Sequence, residues 1–352
     1  MTFCTLFNVN YLDKGLALLE SLERNANGFI LYVLAMDDKC YDVLKEQGKD
    51  YLVPIRLSDF ETSELLEVKP TRKLGEYYWT CSSWLISYVL NTYKPEYCTY
   101  LDADLYIYSD PEVIIQEMKD KNASVQIVSH HFHELVEKDT AFKVGKYCVE
   151  FDTFKNDADG KMLLDIWKKQ VIEHCSIDGD GIHWGDQKYQ DNWAKDYPFV
   201  METENVGAGV APWNISNYKW VKRGNEDIYV ERWGKRALLL FYHFENIVYL
   251  DESTVDTSVL VSWGIDRAFL EHLYVPYLNT IKGIKNTLKT KYGIDILIKK
   301  HPGVAQNTII HKSVLERVVT LFKEHRFLHS LRLNVCFNLP AKLFGRYRYI
   351  KF

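Results

Sequence analysis

Glu96–Tyr108 reads EYCTYLDADLYIY, and the rest of the chain is best understood outward from it. β-branched and aromatic residues crowd the stretch, so it is expected as one strand. Asp102 and Asp104 interrupt the apolar run. In an extended chain, residues i and i+2 face the same way, so the two carboxylates should emerge together. Such a pair, with Ala103 between, is a hard-oxygen site for Mg²⁺ or Mn²⁺ that leaves positions for phosphate oxygens. D-x-D also occurs in plain surface turns, where a strand-end Asp caps the next turn. The setting favours the metal reading.

That setting is an alternation of strands and helices. Thr2–Asn8 is expected as a strand, Tyr11–Arg24 as a helix with Leu12, Leu16, Leu19 and Leu22 on one face, and Phe29–Met36 as a buried strand. A helix near Cys40–Gln47 and a strand, YLVPIRL, follow, and Tyr77–Tyr93 is a further helix. This rhythm predicts a mostly parallel α/β sheet with helices on both faces, which binds ligands at the carboxyl ends of its strands. Asn8, Asn10 and Asp37 stand at such ends.

Downstream, Gly145–Phe154 is expected as a strand and Leu163–Val171 as a helix. GDGIHWGDQKYQDNW (Gly179–Trp193) is expected as a loop leading into a short helix, with Asp186 at its N-cap as the plainer role. VGAGVAPWNIS (Val206–Ser216) is a second glycine-containing loop, and ALLLFYHFEN (Ala237–Asn246) a strand ending in His243. Imidazole suits Mn²⁺ better than Mg²⁺, so His243 as a third ligand would shift the preference to Mn²⁺. HHFH (His130, His131, His133) lacks a nearby carboxylate or cysteine partner and is expected as a loop or acceptor-side wall. Trp184, Trp193 and Trp213 are candidates to stack on acceptor sugars, core packing being nearly as good a reading.

Taken together, the first 250 or so residues resemble GT-A-fold glycosyltransferases, close to the retaining family 8 enzymes such as bacterial lipooligosaccharide galactosyltransferases and glycogenins. The resemblance runs through FNVNYL, YLDADLYIYSDP, GDQKYQDNW and YHF, in that order. It implies a nucleotide-diphospho-sugar fold, with Phe7, Asn8, Asn10, Tyr11 and Asp37 toward the nucleotide. It gives the metal role to Asp102, Asp104 and His243, donor-sugar contact to Asp186, and the β-face position to Gln187. The donor it implies is a UDP-sugar, the cofactor Mn²⁺ or Mg²⁺, and the acceptor a glycan or lipid-linked glycan in bacterial surface-polysaccharide synthesis. Configuration would be retained, through a covalent intermediate or through front-face attack. Asp186 and Glu150 are the carboxylates that could serve as nucleophile or stabilise the cation.

The chain departs from the family pattern in three places. Cys148-Val149-Glu150 stands where the family has Asn-Ala-Gly, so an acid replaces a glycine beside the donor sugar. His243 is followed by FENIVYL rather than Gly-x-x-Lys-Pro-Trp. No donor-binding Arg precedes the D-x-D at the usual place; Arg72 and Lys73 are the nearest basic residues. Two other functions compete with this one. A sugar-1-phosphate nucleotidyltransferase should open with a Gly-rich basic loop, which FNVNYL is not. A non-catalytic binding protein would keep the fold and lose turnover.

Composition sets the outer limits. The chain has 352 residues, 47% hydrophobic and 26% charged, as ordinary globular proteins do. Seven scattered cysteines without C-x-x-C fit a reducing cytoplasm better than a disulfide or zinc framework. Neither a signal peptide nor a membrane-length apolar run is evident. Charge is uneven: Lys282–Phe352 carries 15 Lys/Arg against 3 Asp/Glu, while the net charge of the whole chain is −5. The expected organisation is a catalytic domain over 1–250 and a helical, basic region over 251–352. Helices are expected at Asp266–Lys291 and Lys312–Lys323. Basic and apolar residues at helical spacing suit an anionic membrane surface at the inner face better than nucleic acid, which is not expected as a partner. The plainer reading is a basic appendage packed on an acidic body.

Overall fold

The computed structural model of the chain describes residues 1–132, 134–222, 227–249, 253–257, 267–296 and 349–352. The first half runs β1 (Thr2–Phe7), α1 (Leu12–Asn25), β2 (Ile30–Ala35), α2 (Asp38–Glu46), β3 (Leu52–Arg56), α3 (Leu57–Phe60), α4 (Ser63–Val68), α5 (Leu74–Thr92), β4 (Tyr97–Leu101), β5 (Leu105–Ile107), α6 (Glu112–Asp120), β6 (Val125–Ser129) and α7 (Glu134–Val144). Then come β7 (Tyr147–Lys155), α8 (Ala158–Glu173), α9 (Trp193–Asp196), β8 (Val200–Glu202), β9 (Lys219–Lys222), β10 (Ile228–Arg232), β11 (Lys235–Leu238) and β12 (Phe241–His243). β13 (Val248–Tyr249), β14 (Thr254–Asp256), α10 (Arg267–Tyr292) and β15 (Tyr349–Lys351) follow.

The main sheet has the order β3-β2-β1-β4-β7-β6-β8. β3, β2, β1 and β4 are mutually parallel, and β7 runs antiparallel to both β4 and β6. This is the mixed, mostly parallel α/β sheet expected from the sequence. Alternation along β1 builds two cores. Phe3 and Phe7 face one side with Leu31, Val33 and Ala35, under α1, α2 and α10. Cys4 and Leu6 face the other with Tyr32 and Leu34, under α5 and α8. Pro54 cannot donate to a ladder, and β3 is accordingly an edge strand. Each fully buried leucine of α1, such as Leu12, Leu18 and Leu22, contributes roughly 1.5–3 kcal/mol.

Two expected strands are broken. Glu96–Tyr108 forms β4 and β5, with Asp102–Asp104 as a turn between them, closed by Leu105 N–H to Asp102 C=O at 3.1 Å. The carboxylates therefore meet through a turn, not through the i, i+2 geometry of an extended strand. Ala237–Asn246 likewise splits at Leu239-Leu240: β11 belongs to a three-stranded sheet with β9 and β10, whereas β12 pairs with β5. Two buried leucines in the crossing explain why the run looked continuous.

Beyond residue 250, α10 lies where a helix was expected and packs on α1. Leu270, Leu273, Tyr277, Ile281, Ile284 and Leu288 form its buried stripe, within the same cluster as Phe3 and Leu12. Pro276 inside it removes one helix hydrogen bond, a cost of about 3 kcal/mol that burial on this scale offsets. β15 closes a small sheet with β14. Lys291 pairs with Glu46 at 2.9 Å, so part of the basic region engages the body. The expected helix at Lys312–Lys323 and most of the basic region lie outside the described residues. Among those described, no helix is long and apolar enough to cross a membrane.

Gly15 of α1 sits against Phe7, and a Cβ there would come within 2.3 Å of its ring. Gly15→Ala should therefore destabilise by roughly 1–3 kcal/mol in urea melts, although alanine is the better helix former. A neutral or stabilising result would contradict this packing.

Candidate active site

The site forms where β1 and β4 end. After β1, Asn8 caps a 3₁₀ turn over Val9–Tyr11, its side-chain oxygen accepting from Asn10 N–H at 3.0 Å. Asp37 holds this loop from below: its carboxylate accepts from Val9 N–H at 2.8 Å and from Cys40 N–H at 2.7 Å, capping α2. After β4, Asp102 N–H donates to Glu150 C=O of β7 at 3.1 Å, which fixes the start of the D-x-D turn. Its end is fixed by β12, where Leu105 faces His243 across the ladder and Phe244 N–H donates to Asp104 C=O at 2.9 Å. Sheet pairing thus carries His243 to the aspartates from 139 residues downstream.

His243 Nε2 lies 3.1 Å from Asp104 Oδ1 and 3.8 Å from Asp102 Oδ2. Its other nitrogen, Nδ1, lies 2.6 Å from Glu150 Oε2. Glu150 is completely buried, and its second oxygen, Oε1, has no hydrogen-bond partner among the described residues. Gly209 (φ +71°) of the VGAG loop lets the backbone approach here: a Cβ would lie 2.8 Å from Val128 and 3.6 Å from Glu150 Oε1. Cys148 Sγ joins Asp102 and His243 in a group whose ligand atoms lie within 4.8 Å of one another. Burial, reinforced by Glu150, pushes the Cys148 thiol well above its usual range, so it favours the protonated form.

Electrostatic crowding is severe. Burial, with Asp104, Asp186 and Glu150 nearby, holds Asp102 well above the usual carboxylate range. Burial opposes ionisation of Asp104 too, but His243 outweighs it and keeps Asp104 low. Against its own burial, His243 is held well above its ordinary value by Asp104 and Glu150. Asp104 in turn raises the Tyr11 phenol.

Above this floor is a cavity of about 690 Å³. Phe7, Asn8, Asn10 and Tyr11 line one part, and Asp102, Ala103, Asp104, Cys148 and His243 the floor. Gln187 also lines it, its amide donating to Val144 C=O at 2.7 Å. Trp184, Trp213, His130 and Phe132 contribute walls. The sequence reading missed Tyr78 and Trp79 of α5, Tyr100, Glu245 and Asn246, which also line it. For Tyr78 and Trp79 the only signal was the aromatic cluster YYWT near the start of a helix, which core packing explains equally well.

Several expected site residues stand elsewhere. Glu150 does not line the cavity; it is behind His243, where it can orient the imidazole but not touch a sugar. Asp186 is also outside the lining: its carboxylate accepts from Ser82 at 2.7 Å, and the following 3₁₀ turn is entered at Gln187 without a side-chain cap. Asp37 is structural, as above. Lys73 is exposed and pairs with Asp178 at 2.6 Å, while Arg72 donates to the carbonyls of Val171 and Ile172. Trp193 is buried in the core. His131 is buried behind Trp233, and His133 lies outside the described residues. Lys235 and Arg236 of β11 pair with Glu204 and Glu231 and do not line the cavity.

No protein-family model matches the chain. Uncharacterized protein YfnD of Bacillus subtilis (strain 168) is 27% identical over 290 residues, covering 80% of this chain and 88% of that protein. YfnF of the same organism is 28% identical over 298 residues, covering 82% and 95%. Among solved structures, the galactosyltransferase LgtC with donor and acceptor sugar analogues overlaps 80% of this chain and 96% of its own, at TM-score 0.46 and 12% identity. Mouse xyloside xylosyltransferase 1 overlaps 70% and 98%, at TM-score 0.42 and 12% identity.

Burial holds His130 and His131 neutral, each with a pKa of about 3. A histidine depressed in this way stabilises the fold fully above its unfolded value near 6.5, and the contribution is lost as pH falls toward 3, at about 1.4 kcal/mol per pH unit. Asp186, pushed up to about 7 by burial, acts oppositely: its contribution is full below its unfolded value and lost as pH rises toward 7. Urea melts between pH 5 and 7 should therefore show His131→Gln flattening the acid-side loss by about one proton and Asp186→Asn steepening it. Parallel profiles for all three proteins would refute these environments.

Proposed function

We propose that this chain is a metal-dependent glycosyltransferase that moves a sugar from a UDP-sugar donor to a glycan or lipid-linked acceptor. The observation that carries the reading is the convergence of Asp102, Asp104 and His243 on the floor of a cavity at the carboxyl ends of parallel strands. Ligand atoms sharing one octahedral ion stand about 3 Å apart; Asp104 already has that spacing from His243 Nε2, at 3.1 Å, whereas Asp102, at 3.8 Å, would have to move closer as an ion binds. Two carboxylates with one imidazole favour Mn²⁺ over Mg²⁺. Such an ion, when bound, offsets the charge of a departing diphosphate.

The chain's own groups divide the remaining work. Asn8, Asn10 and Tyr11 offer amide, backbone and aromatic contacts to a base and ribose at one end of the cavity. Trp184, Trp213 and Phe132 offer apolar faces to sugars on the other wall. Glu150, by accepting from Nδ1–H, orients the imidazole so that Nε2, which meets Asp104 at 3.1 Å, could offer its lone pair to an ion once its proton leaves. Gln187 is a polar side chain of the lining that could hold a donor sugar, beside Glu245 and Asn246. With Glu150 and Asp186 both outside the lining, a covalent glycosyl intermediate on either is disfavoured. Retention would then proceed by acceptor attack on the face the diphosphate leaves. The surface-polysaccharide setting and the inner-membrane acceptor rest on the sequence resemblance and on the basic C-terminal region.

Calorimetry with UDP should show binding that requires Mn²⁺ in the wild type and is lost in Asp102→Asn. Equal binding with and without the ion would end the metal reading. Release of UDP from a UDP-sugar without acceptor, in the same wild-type protein, separates an enzyme from a binding protein. Glu150→Ala should weaken Mn²⁺-dependent UDP binding by about 10–100-fold, with Glu150→Gln losing less. Unchanged affinity in Glu150→Ala would show that His243 needs no such support.

A further inference from the structure

A second group of metal-ligating side chains lies on the loop that supplies Trp184 to the cavity wall. α8 ends at Glu173, and His174 follows with its backbone fixed: its N–H donates to Gln170 C=O at 2.9 Å and its C=O accepts from the Tyr189 hydroxyl at 2.6 Å. The side-chain Nε2 of His174 is buried without a hydrogen-bond partner among the described residues. A buried imidazole nitrogen normally has one, which leaves a donor or acceptor to be satisfied on the ring of His174.

Asp180 and His183 face it. Asp180 Oδ1 accepts from the backbone N–H of Ile182 and of His183, at 2.8 and 2.6 Å, which locks the carboxylate in a tight turn completed by Gly181 (φ +87°). The second oxygen, Oδ2, is turned toward His183 Nδ1 at 2.8 Å. The rings of His174 and His183 are 4.8 Å apart. One ligand atom from each of His174, Asp180 and His183 lies within 4.8 Å of the other two.

We propose that His174, Asp180 and His183 form a second metal site, of the zinc type, that ties the 176–185 loop to the end of α8. Two imidazoles and one carboxylate are a common ligand set for Zn²⁺, with the fourth position left to water. The ion takes the place of the proton now shared between Asp180 Oδ2 and His183 Nδ1, and His183 passes to its Nε2–H tautomer. Zn–N and Zn–O distances near 2.0–2.2 Å require the three groups to draw together by about 1 Å. The turn at Gly179–Gly181 can supply that, because the loop's base is held separately: Glu76 accepts from Ser176 Oγ and Ile177 N–H, and Gly185 N–H donates to Ser176 C=O.

The consequence reaches the cavity. Trp184 follows His183 directly, lines the cavity and packs on Trp79 at 5.5 Å. A metal on His183 would hold that wall in one position. The site is distinct from the one on Asp102, Asp104 and His243, since none of its ligands lines the cavity.

The test is zinc titration of the full chain carrying Asp102→Asn and His243→Ala, which removes the other ligand set. Calorimetry and bound-metal analysis should find one equivalent of Zn²⁺. His183→Gln or His174→Gln added to this background should weaken it at least tenfold. Asp180→Asn keeps both turn hydrogen bonds and removes the charge, so it should lose zinc equally while melting as its parent does. Co²⁺ in place of Zn²⁺ should give visible d–d absorption that these variants abolish. No zinc uptake by the background protein, or uptake unaffected by all three substitutions, overturns the proposal. If the double background fails to fold, the wild type should bind one equivalent more than Asp180→Asn, and equal stoichiometry overturns it in the same way.

Discussion

The line Glu150–His243–Asp104 is the interaction on which the rest of this structure depends. It places an imidazole between two carboxylates, all buried, with a third carboxylate 3.8 Å away. Buried charge is tolerated only when paired and hydrogen-bonded. Here the pairing is incomplete, since one imidazole faces Asp102, Asp104 and Glu150, with Asp186 and Asp152 close behind. Burial and mutual repulsion push Asp102 and Asp152 toward their protonated forms, and a cavity floor crowded with carboxylates that resist ionisation is a cost that a packed core alone would not retain. A divalent cation at that floor would offset it, which is the physical argument for a binding site over a structural cluster.

The same line explains the order of the chain around it. Asp104 lies in a turn between β4 and β5, Glu150 in β7, and His243 at the end of β12. Their meeting requires β7 to run antiparallel beside β4 and β12 to leave its sheet and pair with β5. α10 backs this arrangement: Tyr274 bonds the Tyr242 hydroxyl at 2.9 Å, and Tyr277 stacks on Phe244 at 3.7 Å. The residues on either side of His243 are thus fixed by a helix that lies beyond the expected domain boundary at residue 250.

Local pattern made much of this legible. Alternation and helical spacing located β1, α1, β2, α2, β3 and α5 within a few residues, because each is a single element with one buried face. The D-x-D could be picked out by its setting directly after an apolar strand, and His243 by its place in the order of the family motifs. What was not legible depended on partners far away in sequence. Asp102–Asp104 is a turn because β12 claims β5, a pairing across 130 or more residues. Glu150 looked like a catalytic acid because its strand position was right, yet its side chain points at an imidazole 93 residues on. Asp186 was placed at the donor by motif order and Lys73 only as a basic residue near the expected Arg, and tertiary packing turned them to Ser82 and Asp178.

Glu150 shows why a departure from a familiar pattern need not mean lost function. A glycine at that position would leave His243 Nδ1 facing the interior without an acceptor, and an orphaned buried N–H costs about 1–3 kcal/mol. The carboxylate satisfies it, fixes the tautomer and adds negative charge behind the ligand. The acid that the sequence reading set beside a donor sugar is, in the fold, a support behind the His243 imidazole. Its expense is one buried oxygen, Oε1, unpartnered among the described residues, and a crowded pocket that only glycine at 209 leaves room for. Acid at 150, histidine at 243 and glycine at 209 therefore constrain one another, and a change at any one should be felt at the other two.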